Sequence, residues 1–239
     1  MGTYRLLLLA GLGVTISLVL ALAIAYAVGS ILVPWLAGES PGHSALYSSV
    51  FKVEMPVRSF KASSTKGLIE FPVSDRINII TPQYVRCPDI CHWETNILIA
   101  LFEEAYKANA LDKIAFITIG VDPWDEDLNL ASTYQEARAG EWLKRGVYWA
   151  WIYDNITLMR DIWNEYRIYV EKDEKTRLIN HFAGFIIVKD GKVVYVVVPT
   201  TEGWSKPANV AKQIWELVDE LMKATPQDHT HHHHHHSHE

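Results

Sequence analysis

The chain has 239 residues, 22 of them basic and 28 acidic, giving a formal charge of −6. That balance gives no reason to expect nucleic acid, which a basic face would bind. With two cysteines in all, a disulfide-stapled scaffold is excluded too, because such folds use several pairs.

The first element is apolar. From Leu6 to Gly38 no residue is charged, and about 20 apolar residues span a bilayer core. The stretch predicts a transmembrane helix, with residues 1–38 as an N-terminal membrane anchor. A secretory signal peptide is the competing reading, because Ala25-Tyr26-Ala27 resembles a cleavage site. Its apolar region runs only about 7–15 residues, and cleavage there leaves the apolar residues 28–33 as a new terminus. Arg5 is the only basic residue upstream, and the first one downstream is Lys52. Positive-inside bias then places the N-terminus in the cytoplasm and the rest on the extracytoplasmic side of the cell membrane, as a single-pass protein.

Residues 39–70 read as a linker and N-terminal strand segment. Gly, Ser and Pro punctuate it around one strand-like run from Val50 to Phe60. Residues 71–224 have the size of one domain. Ile77 to Ile80 leads as a strand toward the cysteines. Ile90 to Ala108 reads as a helix, with Ile97, Leu98, Leu101, Phe102 and Ala105 on one face. Lys113 to Val121 is a buried-strand run, and Asp125 to Ala139 reads as a helix with an acidic first turn. Val147 to Tyr153 is β-prone, and Asn155 caps a helix through Tyr166. Phe182 to Val188 and Lys192 to Val198 flank Asp190-Gly191, a hairpin signal. Pro207 to Lys223 is an amphipathic closing helix. This order predicts an α/β fold with a mixed sheet flanked by helices.

Both cysteines fall in Cys87-Pro88-Asp89-Ile90-Cys91, where the strand feeds the helix. Ligand sites of α/β sheets lie at such strand ends. Four residues of helix rise about 6 Å and return to nearly the same face, so two sulfurs there close a disulfide or pinch one soft metal ion. Pro88 fits a first helical turn. Cys87 then lies at the positive end of the helix dipole, which favours its thiolate. A pair of buried apolar cysteines is the plain alternative; the proline and the absence of any other Cys argue against it.

Outside the tail the histidines are His43, His92 and His181. His43 lies in the Gly/Ser-rich stretch and reads as exposed. His92 turns about 100° away from Cys91 on a helix and reads as solvent-facing. His181 precedes an apolar strand, and position alone leaves open whether it is a structural, surface or ligand residue. The last residues, 225–239, hold His229, six histidines from His231 to His236, and His238. Six in a row also describe a purification tag, but the flanking histidines favour a natural metal-binding tail, disordered for want of apolar residues.

Tyr84-Val85-Arg86-Cys87-Pro88-Asp89-Ile90-Cys91 resembles the signature of the Sco/SenC family of membrane-anchored copper proteins. Gly120-Val121-Asp122-Pro123 is similar to that family's V-D-P turn. Asn180-His181, followed by a strand and the Asp190-Gly191 hairpin, is similar to the segment with its histidine ligand. The resemblance covers roughly residues 75–222. It implies a thioredoxin-like fold, copper as the metal, and Cys87, Cys91 and His181 as its ligands. It also implies, as partner, the copper-binding subunit of a respiratory cytochrome c oxidase. This sequence departs from the family at three places. His92 stands for the usual Pro, Asn180 for the usual Asp, and Trp124-Asp125-Glu126 lacks the usual Arg. The ligands survive these changes, which bear on partner recognition and redox tuning.

Soft sulfur ligands select Cu(I), zinc or iron–sulfur clusters, and imidazole suits copper and zinc. Structural zinc normally takes four protein ligands, so three favour copper. The leading expectation is a membrane-anchored copper metallochaperone that delivers to the oxidase. The alternative is a thiol–disulfide oxidoreductase that reduces acceptor cysteines, with Cys87 attacking and Cys91 resolving. A thioredoxin-like peroxidase finds no marked nucleophile here. An inert tethered interaction domain would tolerate loss of Cys87.

Overall fold

A computed structural model describes residues 47–224. The predicted anchor, His43 and the His-rich tail lie outside them. No helix among the described residues is long and apolar enough to cross a membrane.

Eight strands form one mixed sheet: β1 (Ser48–Pro56), β2 (Phe60–Ser64), β3 (Gly67–Phe71), β4 (Ile77–Gln83), β5 (Ile114–Gly120), β6 (Trp149–Ile152), β9 (Phe185–Lys189) and β10 (Lys192–Pro199). Their spatial order is β1-β10-β9-β4-β5-β6-β2-β3. The pairs β4–β5 and β5–β6 are parallel, and the others are antiparallel. Two further strands, β7 (Val170–Lys172) and β8 (Ile179–His181), form a separate antiparallel pair.

Every residue of β4 and β5 is buried, because helices cover both faces of the sheet and a continuous apolar run is what such strands require. One face packs against α1 (Ile90–Lys107), α2 (Leu128–Lys144) and α5 (Pro207–Lys223). Leu98, Leu101 and Phe102 of α1 meet Ile79, Phe116 and Trp149 of the sheet and Ile214 of α5 in one core. The other face packs against α3 (Ile156–Glu165), where Met159 and Ile162 meet Ile80, Ile117 and Ile152. A short helix, α4 (Thr201–Trp204), precedes α5. Each fully buried Leu, Ile or Phe contributes roughly 1.5–3 kcal/mol.

The expected helices and strands of the interior form, and α5 has the expected bounds with Pro207 in its first turn. Asn155 caps α3, its side chain accepting the Leu158 N–H at 3.1 Å. Asp190 and Gly191 turn the β9–β10 hairpin with φ of 51° and 70°, the left-handed pair that this turn needs.

Three elements differ. The single run expected from Val50 to Phe60 divides into β1 and β2, and Lys61-Ala62-Ser63-Ser64 with Gly67 belongs to the β2–β3 hairpin. Composition hid that hairpin, since Ser and Lys are unremarkable on its outer face. The helix expected from Asp125 starts at Leu128 instead. Asp127 caps it by accepting the Leu130 N–H at 2.9 Å, and the preceding acids serve the loop. The run expected from Phe182 is broken at Gly184, which has a φ of 153°. A Cβ there would lie 2.7 Å from the Val197 carbonyl oxygen, so the chain passes between β8 and β9 only as glycine.

Candidate metal centre

The carboxyl ends of β4 and β5 release two neighbouring loops, 84–89 and 121–127, as expected for a site in this kind of sheet. Glu126 joins them. Its carboxylate accepts the N–H groups of Val85 and Arg86, both at 2.7 Å, and the Tyr153 hydroxyl at 2.6 Å. The Tyr153 ring lies over Gly120, where any Cβ would collide with it.

These bonds correct one sequence expectation. Cys87 and Pro88 are not in the first helical turn, because α1 begins at Ile90 with Asp89 as its flanking residue. Glu126 takes the amides of residues 85 and 86 for itself, and Cys87 N–H bonds back to the Tyr84 carbonyl at 3.4 Å. The sulfur still meets the helix end. Asp89 makes no side-chain cap, and Cys87 Sγ accepts the Cys91 N–H at 3.4 Å in its place. The dipole argument for a thiolate at Cys87 therefore survives the shift of the helix start.

His181 arrives from the other side, as the last residue of β8 opposite Val170 of β7. This hairpin has no strand neighbour in the main sheet. Polar contacts hold it over the 121–127 loop. Lys172 Nζ reaches Asp122 at 3.3 Å and Asp125 at 2.5 Å, and its charge sits 5.0 Å from the centre of the Trp124 ring. Arg177 pairs with Asp125 as well, and Asp173 accepts two amides within the hairpin turn, those of Lys175 and Thr176.

The sulfurs of Cys87 and Cys91 and a ring nitrogen of His181 lie within 4.8 Å of one another. Nε2 is 3.5 Å from Cys91 Sγ, and Nδ1 is 2.7 Å from the Phe182 carbonyl. A carbonyl only accepts, so Nδ1 carries the hydrogen and Nε2 presents its lone pair to the sulfurs. Tyr84 sets its ring edge-on to the imidazole at 5.8 Å between centroids. A cleft of about 500 Å³ opens onto the site, lined by Cys87, Pro88, Leu178, Asn180 and His181 among others. Cys91 lies beneath it.

The two thiols are unequal. A hydrogen bond from Cys91, with further help from backbone amides, holds the Cys87 thiol well below its usual range, against the opposing effect of burial. Burial pushes the Cys91 thiol up, and its bond to Cys87 pushes it further. The pair thus keeps one proton on the inner sulfur and a thiolate at the cleft. Burial also raises Tyr84, which keeps its phenol neutral.

The donor set fits copper. Two soft sulfurs and one imidazole match Cu(I). Of the other histidines, His92 is exposed and stacks obliquely on Tyr134 at 6.5 Å, as the sequence implied. Among the described residues, no other cluster of His, Cys, Asp or Glu is placed to hold a metal.

The SCO1/SenC family model matches residues 70–219. The chain belongs to the SCO1/SenC family. Three solved structures show the same fold. The solution structure of apo Sco1 from Thermus thermophilus is 18% identical with a TM-score of 0.56, covering 74% of this chain and 99% of its own. Copper-bound yeast Sco1 is 15% identical with a TM-score of 0.55, covering 72% and 92%. BsSco, in which a disulfide switch was identified and which is described as a member of the Sco family of cytochrome c oxidase assembly proteins, is 14% identical with a TM-score of 0.54, covering 73% and 97%. No curated protein sequence matches the chain. The fold is the family's thioredoxin-like mixed sheet flanked by helices.

Sequence reasoning missed Glu94, Glu126 and Lys172, and marked Asp122 only as part of the Val-Asp-Pro turn. Glu94 had a readable signal: it follows Cys91 by three residues on the apolar face of α1, where an acid is out of place. The others act through contacts between segments distant in sequence, and no local pattern marks them.

Proposed function

We propose that this protein is a membrane-anchored copper metallochaperone. It holds copper on Cys87, Cys91 and His181 and delivers it to the copper centre of a respiratory cytochrome c oxidase. The observation that carries the reading is the convergence of two sulfurs and one lone-pair imidazole nitrogen within 4.8 Å at the floor of an open cleft. Three donors hold a soft ion while leaving one side free for an acceptor's ligands to enter. The predicted N-terminal anchor places the domain at the extracytoplasmic face, where such an acceptor is met.

Loading requires both sulfurs as thiolates and so releases the proton of Cys91. Cys87, already a thiolate at the cleft, makes the first contact with the incoming ion. A Cys87–Cys91 disulfide removes both sulfur donors, so copper loading and thiol redox state form one switch.

The unequal thiols favour one second reading, a thiol–disulfide oxidoreductase. Cys87 would attack an acceptor disulfide to give a mixed disulfide. Cys91 would then lose its proton and displace the acceptor's second thiol, leaving Cys87–Cys91 oxidised and the acceptor reduced.

The test is Cu(I) binding by the full chain in detergent under reducing conditions. Cys87→Ser/Cys91→Ser reports copper held by the His-rich tail. Wild type retains one tightly held copper above that baseline. His181→Ala weakens it at least about tenfold, since outer partners of a ligand alone cost 10–100-fold, yet it keeps disulfide exchange near the wild-type rate. Equal copper in wild type and the double serine variant sinks the chaperone reading and leaves the redox one.

A further inference from the structure

Glu94 is fully buried, 0% exposed, and no step so far uses it. It sits on α1 three residues after Cys91. One carboxyl oxygen accepts the Gly184 N–H at 2.9 Å, and Gly184 follows His181 by three residues. The other oxygen has no hydrogen-bond partner. Among the other buried atoms in that condition are Thr81 Oγ1 and Gln83 Oε1, and their side chains face the same carboxyl. Gln83 in turn donates to the Cys91 carbonyl at 3.3 Å and to Thr95 at 3.4 Å.

We propose that Glu94 is the positioning residue of the metal centre: it ties the helix bearing Cys91 to the 182–184 segment that follows His181, and so fixes where the imidazole points. The proposal rests on the copper reading above.

Donors are scarce around this carboxyl. Gln83 Oε1 can only accept, and an ionised Glu94 can only accept as well. The Thr81 hydroxyl offers one hydrogen to these two acceptors. A proton on Glu94 adds a second donor to this group. No cation is among the principal influences on this carboxyl, and burial raises it well above the usual range. An uncompensated buried carboxylate beside a thiolate would be costly.

The mechanical path runs through three contacts. Glu94 holds the Gly184 amide, and Gly184 ends the 182–184 turn. The Phe182 carbonyl in that turn accepts His181 Nδ1–H at 2.7 Å, which turns Nε2 toward Cys91. Outer partners of a metal-binding histidine typically govern affinity 10–100-fold.

The experiment measures Cu(I) affinity of the full chain in detergent, by competition with bicinchoninate, above the Cys87→Ser/Cys91→Ser baseline. Glu94→Met keeps the volume and removes the hydrogen bonds; Glu94→Gln keeps an acceptor for Gly184 and a donor for Gln83. Glu94→Met should weaken copper at least about tenfold, and Glu94→Gln should remain within roughly threefold of wild type. Glu94→Met/His181→Ala should be no weaker than His181→Ala, because both break one unit. Wild-type affinity in Glu94→Met overturns the proposal. So do losses that multiply in the double variant, or a Glu94→Gln as weak as Glu94→Met.

A second measurement needs neither copper nor a disruptive variant. Hydrogen exchange of the Gly184 amide in the apo wild type should be slow, and equally slow in Glu94→Gln. Exchange at the rate of an open loop overturns the proposal, even where Glu94→Met fails to fold. Wild type without copper above baseline but with a protected Gly184 amide refutes the copper reading and leaves the tie itself standing.

Discussion

The two halves of the metal centre are built differently. The thiol half is set into the main fold. Cys91 lies in α1, whose Leu98, Leu101 and Phe102 belong to the larger core, and Glu126 bolts the Cys87 loop down through three hydrogen bonds. The imidazole half hangs on a two-stranded hairpin outside the eight-stranded sheet. Ile179 and Val170 give it a small apolar footing, while Lys172, Arg177, Asp122 and Asp125 hold its outer side. Apolar burial is insensitive to salt and pH, whereas partly exposed ion pairs weaken with both. The sulfur donors are therefore preset, and the histidine is the donor that a partner or a change of conditions can move.

The sharpest break within the thiol half is chemical. In the apo protein, a small alkylating reagent should modify Cys87 and spare Cys91. The Cys87 rate should stay nearly flat down to pH 6, where an ordinary thiol of pKa about 8.5 has lost all but about 0.3% of its thiolate. Mass spectrometry of the alkylated peptide over that range checks it. Preferential labelling of Cys91 would reverse the roles assigned to the two sulfurs.

A smaller effect is expected from Glu126→Ala. It strands a buried tyrosine hydroxyl and two part-buried amides, at about 1–3 kcal/mol for each group that water cannot reach. Urea unfolding should show a loss of about 1–3 kcal/mol, together with weakened copper binding. Unchanged stability would mean that the thiol half is not preset by this bolt.

The smallest effect belongs to the hairpin. Asp125 is held down to about 2, first by Arg177 and then by Lys172, against about 3.9 for a free side chain. Its folded value lies below its unfolded one. The attachment is thus complete above about pH 4 and is lost as pH falls toward 2. Fluorescence of Trp124, which lies under Lys172, should change over that interval in wild type and stay flat in Asp125→Asn. An identical acid transition in both would show that the ionic contacts do not hold the hairpin.

Much of this was legible in the chain. Cys87 and Cys91 sit four residues apart between a strand run and a helix run, and local spacing suffices to bring two such sulfurs together. Apolar periodicity placed α1 and α5, because residues three and four apart share a helix face whatever lies opposite. His181 was different. Its ninety residues of separation from Cys91 carry no period, and only the resemblance to the Sco/SenC family joined it to the pair. The β7–β8 hairpin went unread because its three-residue strands are too short for alternation to show.

The sequence by itself determined the α/β alternation, the buried central strands and the paired thiols, since each depends on residues near one another along the chain. Only the tertiary structure decided which loop Glu126 fastens and how Glu94 reaches the segment behind His181. Those features arise from burial and from hydrogen bonds between distant segments. A buried polar group must find its partner wherever folding brings one, and nothing in its neighbours along the chain says where that is.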